Sequence, residues 1–505
     1  MNYRIRRRPG TWSLQENTPR ARTLTIACAL SGVAVWLSLS VACAAEQDAP
    51  QSALPKIRVA DDGRTFETDD GKPFVTMGVN YFRPGTGWAP QLWKQFDAEA
   101  TRKDFARMKR LGVNCVRVFL TYGSFFMESD ELSPEGLAKF DQLLDIAEEA
   151  GIYVHPTGPD HWEGTPAWAR TDRIADERVL RALENFWRLF AQRYRGRNVL
   201  FAYDLLNEPA VAWDTPAMRA KWNRWLDVRY GSADKASKTW RVEPETIRWG
   251  DEPPPSAEDA PDDRRLLDYQ TFREEIADEW TRRQAKAIKS ADPEALVTVG
   301  LIQWSVPAML PGVRHYAAFR PQRQAKLLDF MEIHFYPLAT GFFEYQPEDE
   351  QRNLAYLESV VREVAATGRP VVVAEFGWYG GGKPTINRGI HPAAGEEDQA
   401  RWCRRAVETT QGLATGWLNW GFYDHPEARD VSQLTGLLTV DGKPKAWARE
   451  FRALAQELAG KHIAPARLGP RPTLEWERCT TSTQTARRFL EAYYKAFQGQ
   501  RGVRP

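Results

Sequence analysis

Two glutamates each close a run of apolar residues. The stretch Ala202-Tyr203-Asp204-Leu205-Leu206-Asn207-Glu208-Pro209 and the stretch Val371-Val372-Val373-Ala374-Glu375-Phe376-Gly377 both turn from apolar to acidic within a few residues. A polar side chain that abruptly ends a buried strand stands at the rim of a sheet, where binding and catalytic groups collect. Two rim carboxylates that face each other are the equipment for cleaving a glycosidic bond. One gives a proton to the leaving oxygen, and the other takes up or stabilises the anomeric centre. Either glutamate alone reads equally well as a rim residue in a salt bridge; the pair is a catalytic pattern. The 20 tryptophans in 505 residues fit the same chemistry, since flat indole faces cover the C–H faces of sugar rings.

The elements that must position this pair are legible as an alternation. Eight strand-like apolar runs occur: Phe74 to Asn80, Asn114 to Leu120, Ile152 to Pro156, Val199 to Leu206, Leu296 to Leu301, Phe330 to Tyr336, Pro370 to Phe376 and Thr415 to Trp420. Between most of them lie amphipathic stretches such as Ala98 to Leu111, Gly136 to Ala150 and Glu177 to Tyr194, and Gly112 and Gly151 supply helix stop signals. Eight βα repeats with continuous apolar strands predict a parallel sheet closed into a (β/α)8 TIM barrel, with Glu208 at the end of strand four and Glu375 at the end of strand seven. The rival open doubly wound sheet lacks its G-x-G-x-x-G signature after the first strand. Turn signals at Asp61-Asp62-Gly63 and Asp69-Asp70-Gly71 predict an N-terminal β-hairpin acting as a lid. A long insertion over about 213–266 is expected to wall the cleft.

Four motifs in this order carry a resemblance: Arg117 on strand two, Asn207-Glu208-Pro209 on strand four, His334-Phe335-Tyr336 on strand six and Glu375-Phe376-Gly377 on strand seven. Over about Lys56 to Leu458 the chain resembles glycoside hydrolase family 5 and its relatives in the same barrel clan of retaining enzymes. The insertion segment from Trp222-Asn223-Arg224-Trp225 to Trp240 is more similar to family 42 β-galactosidases. The resemblance implies Glu208 as acid/base and Glu375 as nucleophile of a double displacement. It also implies that Asn207 bonds the sugar 2-hydroxyl, Arg117 keeps Glu375 ionised, Tyr336 donates to the nucleophile, His334 sits near the acid/base, and Trp420 forms the platform under the reacting sugar. By position alone, Asn80 and Tyr81 after strand one and Asp160, His161 and Trp162 after strand three are candidates to contact sugar hydroxyls or else cap and pack loops. Asp424 and His425 after strand eight stand in the same position.

Other chemistries find little support. Lys+Arg 68 against Asp+Glu 67 leaves no field for a polyanion, so nucleic acid is not an expected partner. Gly377 to Lys383 mimics a P-loop but continues into Pro384, which has neither hydroxyl nor N–H to offer. His155 and His161 lack metal-site spacing, and no G-x-S-x-G elbow occurs, so no metal or cofactor is expected. The N-terminus, arginine-rich and then uncharged from Thr23 to Ala45, is expected to be a secretory signal over 1–45 that directs the protein out of the cytoplasm or to the periplasm; left uncleaved, residues 23–45 would anchor it to a membrane. A linker (46–55), the catalytic domain (56–460) and a C-terminal tail (461–505) complete the organisation. The expected function is retaining hydrolysis of β-linked glycans of mannan or glucan type. An exo-acting β-galactosidase-like enzyme and a catalytically silent carbohydrate-binding barrel are the alternatives.

Overall fold

Helix ends are set locally by side chains that satisfy the free backbone donors of the first turn. Asp97 accepts from the Ala100 N–H at 3.0 Å to start Ala98–Arg110, and Ser133 accepts from the Gly136 N–H at 3.2 Å to start Pro134–Ala150. The second helix stops at Gly151, whose φ of 71° is the left-handed conformation that glycine adopts without steric cost. Each such helix returns the chain to the same end of the sheet, so that successive strands run parallel.

The computed structural model describes residues 54–338, 345–386 and 391–501. The expected leader (1–45) and most of the linker lie outside them. Three short antiparallel strands come first, β1 (Ile57–Val59), β2 (Phe66–Thr68) and β3 (Pro73–Phe74). Eight parallel strands follow and close a barrel: β4 (Thr76–Asn80), β5 (Cys115–Thr121), β6 (Tyr153–Asp160), β7 (Tyr203–Asn207), β8 (Val297–Leu301), β9 (Met331–Phe335), β10 (Val371–Phe376) and β11 (Gly416–Asn419). Every expected apolar run supplies one of them, and the fold is a (β/α)8 barrel. Among the described residues no helix is long and apolar enough to cross a membrane, and Cys115, Cys403 and Cys479 are buried free thiols.

Two expectations need correction. The N-terminal hairpin is a three-stranded sheet, and it is not a lid: Phe66 packs edge-on against Phe201 and Phe330 at 5.2 Å, and Phe74 against Tyr153 at 5.2 Å, so it plugs the end of the barrel where the strands begin. The 213–266 insertion folds into helices Pro216–Tyr230 and Ala233–Trp240, whose Trp222 stacks between Trp225 and Trp240 and meets Tyr269 and Phe272 of the helix Arg264–Ala291. Its apolar residues serve a local core on the outside of the barrel. The C-terminal segment packs against the helix Pro347–Ala365. It forms Trp476–Thr481 and Thr483–Arg501 and is tied down by Arg471 and Tyr493, which donate to Glu358 at 2.7 and 3.0 Å.

Candidate active site

Inward-facing positions on the barrel strands are polar at the end where the strands finish. Asn80, Arg117, Asp204, His334, Glu375 and Asn419 are all buried. Pairing places Asn80 beside Arg117 and Glu375 beside His334 in neighbouring strands. The register slips between Asp204 and Asn207 on β7 and between Val373 and Glu375 on β10. Such irregularities re-aim side chains; these two fall on strands that carry the carboxylates, and another lies between Phe119 and Thr121 on β5. Glu208 itself adopts φ 46°, an uncommon conformation for a side chain-bearing residue and a form of strain that concentrates at functional sites. Its N–H donates to the Gly300 carbonyl at 2.8 Å.

Arg117 organises the floor. Its Nη1 donates to Glu375 Oε1 at 2.6 Å and to Asn80 Oδ1 at 2.9 Å, and its Nη2 donates to Asp204 Oδ2 at 2.8 Å and to Asn207 Oδ1 at 2.9 Å. Burial works against this cation, and the carboxylates of Asp204 and Glu375 more than offset it. Asp204 is held in turn by the Gly300 N–H at 2.7 Å. Gly300 has a steric duty here: a Cβ at that position would stand 2.9 Å from Arg117 Nη2 and 3.0 Å from Asp204 Oδ2.

The two glutamates differ in environment. Glu375 has a side chain only 4% exposed, with Arg117 on one oxygen and the Tyr336 hydroxyl donating to the other at 2.8 Å. Burial pushes its carboxyl above the usual range, while His334, Arg117 and the Tyr336 hydrogen bond pull it back. Glu208 is 27% exposed, and among the described residues its side chain meets only His334, Nδ1 to Oε1 at 3.1 Å. Burial raises its carboxyl to about 7; Arg117 opposes this and Asp160 adds to it. His334, whose imidazole burial pushes down towards the neutral form, also lies 3.4 Å from Glu375. One donor atom from each of Glu208, His334 and Glu375 lies within 4.8 Å of the other two. That cluster has the make-up of a cation site, but the Arg117 guanidinium already supplies a positive charge to Glu375.

A cavity of about 510 Å³ opens over the pair. Trp420 lines it, with its indole N–H donating to Ser432 Oγ at 2.6 Å, and Trp162 lines it at 6.5 Å from Trp420. Trp304, Trp378 and Asp430 also line it, and none of the three was singled out by sequence. Gln303 was overlooked as well; it holds the Tyr336 backbone by accepting from its N–H at 2.8 Å. The remaining expected contacts divide. Asn80 belongs to the network behind the carboxylates and donates to the Ala374 carbonyl at 2.8 Å. Tyr81 points away from the cleft: it is buried and donates to Asp104 at 2.8 Å, because adjacent residues of an extended segment face opposite sides. Asp160 is buried beside His161 at 2.8 Å, and His161 is half exposed; neither lines the cavity, although Asp160 acts on Glu208 through its charge. Asp424 binds Lys445 at 2.9 Å, and His425 packs on Phe82 and Trp88. No residue of the insertion lines the cavity among the described residues.

Residues 68–425 match the family model Cellulase (glycosyl hydrolase family 5). The chain belongs to glycosyl hydrolase family 5. That is a family of glycoside hydrolases. A "Beta-xylosidase" from Phanerodontia chrysosporium is 30% identical over 150 residues, 27% of this chain and 29% of that protein, so the match spans less than a third of the curated relative. Among solved structures, a GH5_18 protein from Streptomyces cattleya in complex with Manb1-4GlcNAc has a TM-score of 0.58 at 18% identity and covers 85% of this chain and 92% of its own. The exo-beta-1,4-mannosidase Op5Man5 from Opitutaceae bacterium strain TAV5 has a TM-score of 0.54 at 18% identity, covering 79% and 62%. A β-galactosidase from Halorubrum lacusprofundi has 0.56 at 19% identity, covering 76% and 58%. At these identities the structural likeness establishes the fold of this family 5 hydrolase and nothing finer.

Proposed function

We propose that this family 5 enzyme is a retaining β-glycosidase acting on β-mannoside-type glycans by double displacement. The observation that carries the reading is the contrast between two close carboxyls, one with its proton retained to about pH 7 and one clamped between a guanidinium and a phenol. In the first step a Glu375 oxygen attacks the anomeric carbon while Glu208 gives its proton to the departing oxygen, and the glycosidic C–O bond breaks. In the second, Glu208 takes a proton from water, the water oxygen bonds to the anomeric carbon, and Glu375 leaves as carboxylate. In this reading Asn207, held by Arg117, meets the 2-hydroxyl, and Trp420 and Trp162 cover the sugar faces. Carboxyl groups about 5 to 5.5 Å apart serve retention, and the 4.8 Å limit on the donor atoms supports that class.

The mannoside assignment draws on the sugar named for the Streptomyces structure and the activity named for the Opitutaceae one. A β-galactoside reading had rested on the insertion, which lines no part of the described cavity. Turnover of p-nitrophenyl β-mannoside, β-glucoside and β-galactoside, with and without Glu375, tests the proposal: preference for the mannoside supports it, and preference for the galactoside contradicts the substrate class. We also propose export with cleavage near Ala44 or Ala45, checked by the intact mass of exported protein, where a chain still beginning at Met1 favours an anchor.

A further inference from the structure

The loop after β11 does two things at one place. Its Ser432 hydroxyl accepts from the Trp420 indole N–H at 2.6 Å, and the Ser432 backbone N–H donates to Asp430 Oδ1 at 2.8 Å. One short segment thus fixes an aromatic face and sets a carboxylate next to it. Arg429, Asp430 and Val431 line the same cavity as Trp420, Tyr336 and Glu375, and Asp430 remains exposed to solvent there. The Asp430 charge is felt at Tyr336, whose hydroxyl donates to Glu375. An ionised carboxylate has about four lone-pair sites, so its contacts to Ser432 leave acceptor capacity facing the cavity.

A sugar lying on Trp420 with its anomeric carbon at Glu375 turns its leaving group towards Glu208. The ring hydroxyls of a sugar on Trp420 then lie within the cavity that Arg429, Asp430 and Val431 line. Resting on the double-displacement reading, we propose that Asp430 is a specificity-determining residue that accepts hydrogen bonds from hydroxyls of the sugar seated on Trp420. Hydrogen bonds to an ionised acceptor are shorter and stronger than neutral ones. A site built to bond a hydroxyl also rejects the analogue lacking it far more strongly than an apolar pocket rejects a missing methylene. Asp430 would therefore read which hydroxyls are present and how they are oriented, while Asn207 and the carboxylate pair perform chemistry common to many sugars.

The test uses p-nitrophenyl β-mannoside and its 3-, 4- and 6-deoxy analogues with the wild type, Asp430→Asn and Asp430→Ala. Asn retains an oxygen for the Ser432 N–H and so keeps the Trp420 support, which separates substrate contact from loop structure. We expect both variants to lose roughly ten- to a hundredfold in kcat/KM, the scale of one hydrogen bond to a charged group. At least one deoxy analogue should suffer a comparable loss on the wild type and no further loss on either variant. Deoxy penalties that are the same in wild type and variants overturn the proposal. Full recovery in Asp430→Asn beside a damaged Asp430→Ala overturns it too, since that outcome assigns Asp430 only to capping. Glu375→Ala is measured alongside: turnover that survives there contradicts the double displacement itself, whereas unchanged penalties with Glu375 essential contradict only the role of Asp430.

Discussion

The two ends of the barrel are built from the same eight strands yet have opposite chemistry. At the base, Phe66, Phe201, Phe330 and Tyr153 interlock with the N-terminal sheet in an apolar plug. At the mouth, Arg117 ties together Asp204, Asn207, Asn80 and Glu375, and Glu208 sits in a strained backbone conformation. Between them lies one buried pair, His155 Nε2 with Glu332 Oε1 at 2.5 Å, whose imidazole also rests 5.5 Å from Phe201. The base gains stability from close-packed rings, and the mouth accepts clustered like charges that only function explains. Substitutions should accordingly separate: those at the mouth change rates, and those at the base change stability.

The largest expected effect is at Glu375. Glu375→Ala should reduce turnover of every substrate to background, a loss beyond the roughly 10²- to 10⁴-fold that acid–base assistance provides. Glu208→Ala should lose about 10²- to 10⁴-fold on glycosides with poor leaving groups. It should lose far less on an activated aryl glycoside, whose leaving group needs no proton. Equal losses of Glu208→Ala on both substrates would contradict the assignment. Glu208→Ala should leave the melting temperature near that of the wild type, as its partly exposed side chain bonds only His334 among the described residues.

The pH profile sharpens the same contrast. Glu208 acts protonated, and its carboxyl is raised to about 7, so kcat/KM on unactivated glycosides should fall as pH rises through about 7. Glu375 acts ionised, and burial places it above the usual carboxylate range, so activity should also fall on the acid side, at a pH above that of a free glutamate. With an activated aryl glycoside the basic limb should fade and the acid limb remain. Removing the Arg117 cation should move the acid limb to higher pH, since Glu375 loses a group that favours its ionised form. An acid limb that stays in place would break the link between the two.

At the base the readout reverses. Phe66→Ala should destabilise the protein by about 3–5 kcal/mol, the range for deleting a buried aromatic ring, while folded protein keeps its kcat. Smaller still, Phe66→Leu, which gives up both edge-on ring contacts but keeps an apolar side chain, should cost less than Phe66→Ala. Thermal unfolding with parallel kinetics checks both, and a lowered kcat in the folded fraction would show that the two ends are not separable.

Much of this was legible because a barrel repeats. Eight apolar runs, most of them followed by a helical period, located all eight strands, and the carboxylates that interrupt two of them located the site. Asp204 was harder to see because it stands inside an apolar run, and only the closed barrel reveals that this position faces Arg117. Glu332 is hidden in Phe330 to Tyr336 for the same reason. Tyr81 was misplaced by sequence nearness to Asn80, although strand alternation sends the two to opposite faces. The insertion was expected to wall the cleft, but tryptophan also packs a core, and Trp222 does. Gln303, Trp304, Trp378 and Asp430 come from loops without periodicity, so nothing in their spacing pointed to the cavity.

The central claim is that Glu208 and Glu375 act as acid/base and nucleophile in two displacements at one face of the sugar. The most direct measurement is ¹H NMR of the first product released from p-nitrophenyl β-mannoside, recorded before mutarotation. The account predicts that the β-anomer appears first and the α-anomer grows only with mutarotation. An initial α-anomer would mean that water attacks directly across the cleft, and the double displacement would be wrong.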